Sequence, residues 1–324
     1  MTNRVWFDAR SLTKRYTTGW ERYVRELANR IPKLVDVTIW SPYPENRLLL
    51  LLSDLQTNKS QFRHLVSHFP SYPPRRKKVT PFQVLTVHDL TWWKYPETSS
   101  FLGKNYYKKN MHKAIFDSDL IICPSNSVKN EIMTEFSLKE DKLEVISHGN
   151  SLPSGLKTDT PKPYFLSIGT IEPRKNLDFY AQAIRESKLE TKFDFIHVGR
   201  IGWGKLPYEI KHLDNCNDQR LANLILNAHA TVVPSLYEGF GLPVLESHIQ
   251  GTPVLMSNDP ALVELSNEND LIFELNNLEN LVLCLKYFAE SKKTVDQKNI
   301  IRSKNMTWDN SAQKHVQSYL RLLK

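Results

Sequence analysis

The alternation of short apolar runs with helical patterns is the feature that most constrains the fold of this chain. Over 324 residues the alternation stops once and then starts again. Such an alternation is typical of α/β domains with parallel sheets. The interruption, 152–163, is rich in Pro, Gly and Thr and poor in core residues, which predicts a linker. We therefore predict two α/β domains, 1–158 and 159–306, followed by an amphipathic helix in 307–324.

The two halves share one plan of predicted elements. In the first half the predicted strands are Arg4–Asp8, Val37–Trp40, Phe82–His88, Leu120–Pro124 and Leu143–His148, and the predicted helices are Glu21–Ile31, Lys104–Phe116 and Ser127–Glu135. In the second half the predicted strands are Tyr164–Ile168, Phe193–Val198, Ala230–Pro234, Val254–Ser257 and Leu271–Phe273, and the predicted helices are Leu177–Ser187, Arg220–Ala228, Pro243–Gln250 and Trp308–Leu323. Open parallel sheets bind ligands beyond the carboxyl ends of their strands, so a site is expected in the strand-to-helix loops around a cleft.

Charge and cysteine content narrow the classes of partner. The net charge is +8 and the pI is near 9.2, which favours acidic partners such as nucleotide phosphates or an anionic membrane face. No nucleic-acid motif occurs, so nucleic acid is not expected as a partner. The cysteines Cys123, Cys216 and Cys284 have neither metal nor disulfide spacing, which indicates a reducing cytoplasm. The N-terminus is typical of a strand rather than a signal peptide, and the longest apolar run, Leu48–Leu52, is too short to span a bilayer.

The segment Pro234–Glu246, PSLYEGFGLPVLE, is the strongest motif. Its two glycines let the backbone approach a ligand closely. Pro243 suits the first turn of a helix, where its missing N–H has no cost. The backbone amides at this helix start are therefore expected to point outward as an anion or hydroxyl site. The residues of this predicted site are Gly239, Phe240, Gly241 and Leu242.

Two carboxylates flank that turn. Glu238 precedes it and Glu246 lies one turn inside the helix. A carboxylate accepts hydrogen bonds from a pair of sugar hydroxyls, so two carboxylates beside a phosphate site suit a sugar at one end and a ribose at the other. The alternative is a glycine-rich turn with two solvated glutamates.

The segment Ser167–Asn176, SIGTIEPRKN, follows a strand and opens a helix, with Asn176 as the expected N-cap. Arg174 and Lys175 are then expected at the cleft edge. An Arg/Lys pair with helix dipoles can stabilise the negative charge of a leaving nucleoside diphosphate without a metal. The alternative is a pair of surface charges beside a cap.

Two weaker signals lie in the first half. Gly19 follows a strand and a loop at a helix start and can contact phosphate through its backbone, although a plain tight turn is an equal interpretation. His88 ends an apolar strand, where ligands bind, and can hydrogen-bond a sugar or the acceptor. A structural histidine is the alternative.

Two further patterns bear on whether the protein binds a metal ion or a membrane surface. Asp117 and Asp119 form an Asp-x-Asp pattern, but it closes a helix and enters a strand at the end away from ligands, so no metal is expected. The segments Arg75–Lys78 and Lys104–Lys113 are basic, the second with tyrosines. They are interpreted either as solvated faces or as contacts with anionic lipid.

These motifs resemble glycosyltransferase family 4, retaining enzymes of the GT-B fold. The resemblance runs through Asp8, Arg10, Gly19, Arg22 and Tyr23, then TVHDL, YPE, IICPSNS, ISHGN, GTIEPRKN, HVGRIGW, PSLYEGFGLPVLE and Thr307-Trp-Asp. It implies two Rossmann-like domains that face a central cleft, and a C-terminal helix that crosses back onto the first domain.

The resemblance also implies roles for single residues. Glu238 would contact the transferred sugar and Glu246 the ribose. Arg174 and Lys175 would bind the diphosphate, Gly19 would lie near the phosphates, and His88 near the reaction centre. The matching motifs add Thr170, Gly199 and Arg200 to the expected donor site. No protein nucleophile, cofactor or metal is implied.

The resemblance implies transfer of a hexose from a nucleotide sugar to a glycan or lipid-linked saccharide, with mannose from GDP-mannose as the first choice. The expected location is the cytoplasm, including the inner face of the membrane. One departure is that the segment after Trp203, where the family shows a strand and a turn that hold the base, is here a polar stretch, 212–219. Alternatives are a catalytically silent binding or scaffold protein, a nucleotide-sugar epimerase, or a phosphorylase of the same fold.

Overall fold

The structure is a computed structural model that describes residues 4–13, 19–41, 63–74, 78, 80–98, 101–158, 162–214, 216–291 and 297–324. The apolar run Leu48–Leu52 and most of the basic segment, 75–77, lie outside these ranges. The chain divides into two compact units. The first is Met1–Gly149 with Thr307–Lys324, and the second is Asn150–Met306.

The first unit is built on a parallel six-stranded sheet in the order β2-β1-β3-β4-β5-β6. Its strands are β1 (Val5–Asp8), β2 (Val37–Trp40), β3 (Val66–Phe69), β4 (Phe82–Thr86), β5 (Leu120–Cys123) and β6 (Leu143–Val145). Its first helices are α1 (Gly19–Arg30), α2 (Thr91–Lys94), α3 (Phe101–Asp117) and α4 (Asn126–Phe136).

The second unit also contains a parallel six-stranded sheet, in the order β12-β11-β10-β7-β8-β9. Its strands are β7 (Tyr164–Ile168), β8 (Asp194–Val198), β9 (Lys211–Leu213), β10 (Ala230–Val233), β11 (Val254–Ser257) and β12 (Leu271–Phe273). Its helices are α5 (Leu177–Ser187), α6 (Asp218–Asn227), α7 (Leu242–Gln250), α8 (Pro260–Val263), α9 (Leu278–Glu290) and α10 (Gln297–Lys304). The prediction of two α/β domains with parallel sheets is confirmed.

Strand β3 was not predicted, because polar residues interrupt its apolar pattern. All four of its residues are buried. Ser67 is within hydrogen-bond distance of Thr80, and His68 bonds Thr86 at 2.8 Å. These bonds satisfy the polar groups, so the strand can occupy a central position in the sheet.

Strand β9 corrects the interpretation of 212–219 as a reduced polar stretch. It pairs in parallel with β8, with His212 opposite His197. The His212 ring lies 2.6 Å from the carbonyl oxygen of Gly199. A strand is therefore present at the position where the family usually has one. It forms the sheet edge, and two of its three residues, Lys211 and His212, are polar.

The boundary between the units lies after Gly149, so 150–158 belongs to the second unit and not to the first domain. The reason is hydrogen bonding of its backbone to side chains of α6 and α7. Gln250 accepts from the Gly155 N–H at 2.9 Å and donates to the Pro153 carbonyl at 2.8 Å. Leu152 is buried in the core of the second unit.

The C-terminal helix α11 (Trp308–Leu322) belongs to the core of the first unit. Trp308, Ala312 and Tyr319 are buried there with Tyr23 and other residues of α1 and the sheet. Thr307 caps the helix by accepting from the Asn310 N–H. Within the described ranges, no helix is both long enough and apolar enough to cross a membrane.

Candidate functional site in the second unit

The site is defined by the point at which the second sheet reverses its strand order. Strands β7 and β10 are neighbours, but the chain runs from β7 outward to β8 and β9, and from β10 to β11 and β12 in the opposite direction. The loops that follow β7 and β10 therefore leave the sheet side by side, at its carboxyl edge. In open α/β sheets, ligands bind in the crevice at such a switch point.

The loop after β7 carries the basic pair on a short turn. Pro173–Lys175 forms a single 3₁₀ turn directly before α5. Asn176 joins the two in a left-handed conformation with φ of 56°, and its side chain makes no cap hydrogen bond. Asn176 therefore occupies the predicted N-cap position of α5, but its side chain does not cap the helix, because its backbone is left-handed and not extended as side-chain capping requires.

Glu238, in the loop after β10, brings both basic residues together. Its Oε2 accepts from Arg174 Nη1 at 2.8 Å, and its Oε1 accepts from Lys175 Nζ at 2.6 Å. Ser235 Oγ donates to the same Oε1 at 2.7 Å. The second nitrogen of Arg174, Nη2, donates to Glu172 at 2.6 Å. Two carboxylates and two cations thus form one connected group.

Backbone contacts hold the two loops against each other. The Leu236 N–H donates to the Arg174 carbonyl at 2.9 Å, and the Arg174 side chain donates to the Tyr237 carbonyl at 2.7 Å. The side chains of Arg174 and Lys175 are only 13% and 12% exposed. The cations therefore have fixed positions at the switch point.

The electrostatics of Glu238 follow from these contacts. Burial by itself would raise the pKa of this carboxyl, but the charges of Arg174 and Lys175, with hydrogen bonds from Lys175 and Ser235, lower it to about 2. Glu238 is therefore ionised at neutral pH. Its two oxygens can accept hydrogen bonds from sugar hydroxyls, and the two cations can bind an anion, but each of these uses atoms that now bond each other.

The glycine turn after Glu238 begins α7 as predicted, with Pro243 in its first turn. Gly241 has a left-handed φ of 100°, and an added Cβ would lie 2.8 Å from a methyl carbon of Leu262. Gly239, Phe240 and Gly241 are buried and Leu242 is partly exposed, so this turn is less exposed than predicted. Glu246 is buried in α7 and not solvated.

The loops after β7 and β8 place the other predicted donor residues. Gly199 approaches Gly169 so closely that an added Cβ would lie 1.8 Å from the Gly169 carbonyl oxygen. Arg200 is exposed and its Nε lies 3.4 Å from Thr170 Oγ1. Both loops thus run together, with Ile171 and Ile201 paired in parallel.

In the first unit, His88 follows β4 and is partly exposed. Its Nε2 lies 2.7 Å from the carbonyl oxygen of Pro70, and the ring of Tyr23 meets it edge-on at 4.8 Å. Burial lowers the pKa of His88, so the ring is neutral at neutral pH. Gly19 is exposed at the start of α1.

The Asp-x-Asp pattern is occupied by structural contacts. Asp119 accepts from Lys78 at 2.6 Å and from the Gln83 N–H at 2.6 Å, and Asp117 lies 4.0 Å from Lys113. Among the residues that the structure describes, no group of three or more His, Cys, Asp or Glu side chains is placed to hold a metal ion.

Sequence reasoning missed Ser257 and Asp259, which lie near the Glu238 loop. Ser257 Oγ donates to the Ser235 carbonyl at 2.6 Å. Burial and the nearby negative charge of Glu238 raise the pKa of Asp259 to about 6. The Asp259-Pro260 pair is a recognisable helix start. That pattern predicts a helix cap, but it does not predict that Asp259 lies near Glu238.

Solved structures of known proteins share this fold. A sucrose-phosphate synthase from Thermosynechococcus elongatus matches 99% of this chain and 99% of its own, with a TM-score of 0.80 and 16% identity. Anabaena Alr3699/HepE in complex with UDP and glucose matches 97% and 98%, with a TM-score of 0.72 and 14% identity. The chain therefore has the two-domain, Rossmann-like GT-B fold, as predicted.

The family follows from the sequence comparisons. The model "Glycosyltransferase Family 4" matches residues 61–152, and the model "Glycosyl transferases group 1" matches residues 151–305. The chain belongs to glycosyltransferase family 4, and the predicted resemblance and enzyme class are confirmed.

Curated relatives are more similar to this chain in sequence than these solved structures are. The O-antigen chain mannosyltransferase B of Escherichia coli is 25% identical over 287 residues, 80% of this chain and 74% of the relative. The O-antigen chain mannosyltransferase RfbU of Salmonella typhimurium is 27% identical over 195 residues, 56% of this chain and 54% of the relative. This chain therefore aligns with only about half of the second relative's length.

Proposed function

We propose that this glycosyltransferase transfers mannose from GDP-mannose, with retention and without a metal, to a hydroxyl of a glycan or lipid-linked saccharide. The observation that carries the proposal is the group of Arg174, Lys175 and Glu238 at the switch point of the second sheet. The names of the curated relatives, which are mannosyltransferases of O-antigen chains, support the choice of sugar.

In the proposed step, Arg174 and Lys175 bind the diphosphate of the donor. The bond between the anomeric carbon and the β-phosphate oxygen breaks, and its electron pair stays on the diphosphate, where the two cations stabilise the added charge. The acceptor oxygen bonds to the anomeric carbon on the same face, and its proton passes to the leaving phosphate oxygen. Glu238 orients the sugar through its hydroxyls, and no protein nucleophile takes part.

Three further residues would contact the donor or the acceptor. Glu246 would bind the ribose from its place in α7, the backbone of Gly19 would approach the phosphates, and the neutral ring of His88 would hydrogen-bond the sugar or acceptor. The backbone around Gly199 and Gly239, with Thr170 and Arg200, would bind the rest of the donor.

The direct test measures release of the nucleoside diphosphate and transfer to a saccharide acceptor, with GDP-mannose, UDP-glucose and UDP-N-acetylglucosamine as donors. We expect activity with GDP-mannose. Arg174→Ala and Lys175→Ala should each lower turnover by about 10²–10³, the range for loss of a group that stabilises transition-state charge. Arg185→Ala is the matched control, since Arg185 pairs with Glu209 on a different part of the same unit. Near-normal turnover in both site variants would refute the diphosphate assignment.

We also propose that the basic helix α3 contacts anionic lipid that carries the acceptor. Lys108 lies 5.5 Å from the Trp93 ring, so a cation and an aromatic side chain are adjacent there. Flotation with phosphatidylglycerol vesicles should recover the protein, whereas phosphatidylcholine vesicles should not. Equal recovery with both would remove the electrostatic explanation.

A further inference from the structure

His197 is a buried histidine on β8, beside the loop that carries the basic pair. It is 1% exposed and lies opposite Ser167 in the register of β7 and β8. Its Nε2 lies 2.8 Å from the carbonyl oxygen of Gly169, and its Nδ1 lies 2.8 Å from Ser167 Oγ. Both ring nitrogens are thus bonded to the segment in which the chain leaves β7.

These two bonds fix the protonation of the ring. A carbonyl oxygen can only accept, so Nε2 carries the proton and donates it to Gly169. Nδ1 then has a lone pair and accepts from the Ser167 hydroxyl. Burial lowers the pKa of His197 to about 4, the bond to the Gly169 carbonyl opposes this shift, and the charge of Lys175 lowers the pKa further. The ring is therefore neutral at neutral pH and is a fixed N–H donor.

Gly169, which this ring holds, packs against the side chain of Lys175. A Cβ added at Gly169 would lie 3.0 Å from Lys175 Cε and 3.4 Å from its Nζ, so the lysine fills the space that a side chain at 169 would need. Gly169 has a left-handed φ of 143°, and its N–H donates to the Val198 carbonyl at 2.9 Å. Strand β8 therefore holds both polar groups of the Gly169 backbone, the N–H through Val198 and the carbonyl through His197.

The sheet by itself does not require a histidine at this place. Phe195, Ile196 and Val198 of the same strand are apolar, as is typical of a strand in a parallel sheet that is covered on both faces. An apolar residue at 197 would avoid the cost of burying polar ring atoms, but it would leave the Gly169 carbonyl without this bond. Local conflicts of this kind are typical of functional sites.

We propose that His197 is a positioning residue for Lys175. By holding the Gly169 carbonyl, it keeps in place the backbone against which the lysine side chain packs, so that Nζ meets the donor diphosphate in one position. The inference rests on the proposed binding of the diphosphate by Lys175 and adds a residue that acts through that lysine.

The test is a double-mutant cycle on the binding of pyrophosphate to the full chain. The Kd is measured by calorimetry in EDTA for wild type, His197→Leu, Lys175→Ala and the double variant. We expect His197→Leu to raise the Kd about 5- to 10-fold and Lys175→Ala to raise it about 10- to 100-fold. When Lys175 is already alanine, His197→Leu should change the Kd less than about twofold, because the effects of residues that act through one another do not add.

Three further variants separate positioning from general damage. His197→Gln keeps an N–H donor at the reach of Nε2 and should bind pyrophosphate within about twofold of wild type. His197→Asn can reach Ser167 but not Gly169, so it should weaken binding as His197→Leu does, and it serves as the test if the leucine variant does not fold. His229→Leu is the matched control, because His229 Nε2 lies 2.5 Å from the Phe288 carbonyl oxygen, a bond of the same kind elsewhere in the unit. Its Kd should equal that of wild type.

The results distinguish the inference from the proposed function. If Lys175→Ala binds pyrophosphate as tightly as wild type, the diphosphate assignment is wrong and the inference is wrong with it. If Lys175→Ala binds weakly while His197→Leu and His197→Asn bind as wild type does, only the inference is refuted. An equal effect of His197→Leu with and without Lys175 would show that His197 does not act through the lysine, which also refutes the inference.

Discussion

Replacing Glu238 with Gln should strengthen the binding of free nucleoside diphosphate while it weakens sugar transfer. In the structure both oxygens of Glu238 are bonded to the two cations, at 2.8 Å for Arg174 and 2.6 Å for Lys175. A diphosphate must displace this carboxylate before it can bind the same nitrogens. Gln keeps the shape of the side chain but removes the competing charge.

The magnitude follows from the bonds that the diphosphate must replace. A hydrogen bond to a charged group contributes about 1.5–3 kcal/mol. In the variant, the diphosphate no longer has to break one such bond in order to bind. The Kd of the diphosphate should therefore be about 10- to 100-fold lower for the variant than for wild type, since each 1.4 kcal/mol is a factor of ten. The free variant should also be less stable than wild type by about 3–5 kcal/mol, because the largely buried Arg174 and Lys175 both lose the charge of Glu238, although Arg174 keeps its bond to Glu172.

The assay is calorimetric titration with GDP and, separately, with inorganic pyrophosphate, in EDTA at one fixed ionic strength. Pyrophosphate reports on the cations even if the base is not guanine. Glu144→Gln is the control, because Glu144 pairs with Arg321 in the first unit. Its Kd values should equal those of wild type.

Two results would refute the reasoning. Unchanged or weaker binding of pyrophosphate to Glu238→Gln would mean that Arg174 and Lys175 do not hold the diphosphate. Full transfer activity in the same variant would mean that the Glu238 charge does not act on the donor sugar.

Three further predictions test other parts of the structure. Transfer should continue within about twofold in EDTA if the basic pair replaces a metal as the stabiliser of the diphosphate, and a loss that Mg²⁺ restores would contradict this. Burial lowers the pKa of His315 to about 4, below its unfolded value, so this group stabilises the fold above pH 6.5 and that stability is lost as the pH falls toward 4. Between pH 7 and pH 5, the free energy of unfolding measured in urea should therefore fall by about 2 kcal/mol less for His315→Gln than for wild type. An equal decrease in the two proteins would contradict a neutral, buried ring. Gly199→Ala should lower stability by about 2–3 kcal/mol, since its Cβ would meet the Gly169 carbonyl oxygen, and an unchanged melting temperature would contradict that close approach.

Local patterns in the sequence were sufficient to predict much of the fold. Tyr164–Ile168 and Val254–Ser257 are strands with the predicted bounds, because continuous apolar runs between turn residues can be buried on both faces of a parallel sheet. The helix start at Pro243 was predictable for a similar reason, since proline at the first turn is a local effect.

Elements with polar residues could not be predicted in the same way. Val66–Phe69 and Lys211–Leu213 contain histidines that are acceptable in strands only because distant groups bond them. The boundary between the two units could not be predicted for the same reason, because contacts with residues distant in the sequence decide it. The segment 150–158 has the composition of a linker, and it packs on the second unit through Gln250, about a hundred positions along the chain.

The sequence by itself determined the two α/β halves, the glycine turn and the residue types of the candidate site, because these depend on local periodicity and backbone chemistry. Only the tertiary structure decided which of those residues meet. Arg174 and Glu238 are 64 positions apart and are joined because β7 and β10 are neighbours at the point where the strand order reverses. The ion pairs between Glu238 and the two cations arise from that adjacency. Sequence spacing carries no information about it, since the hydrogen bonds that order a sheet form between strands distant in the chain.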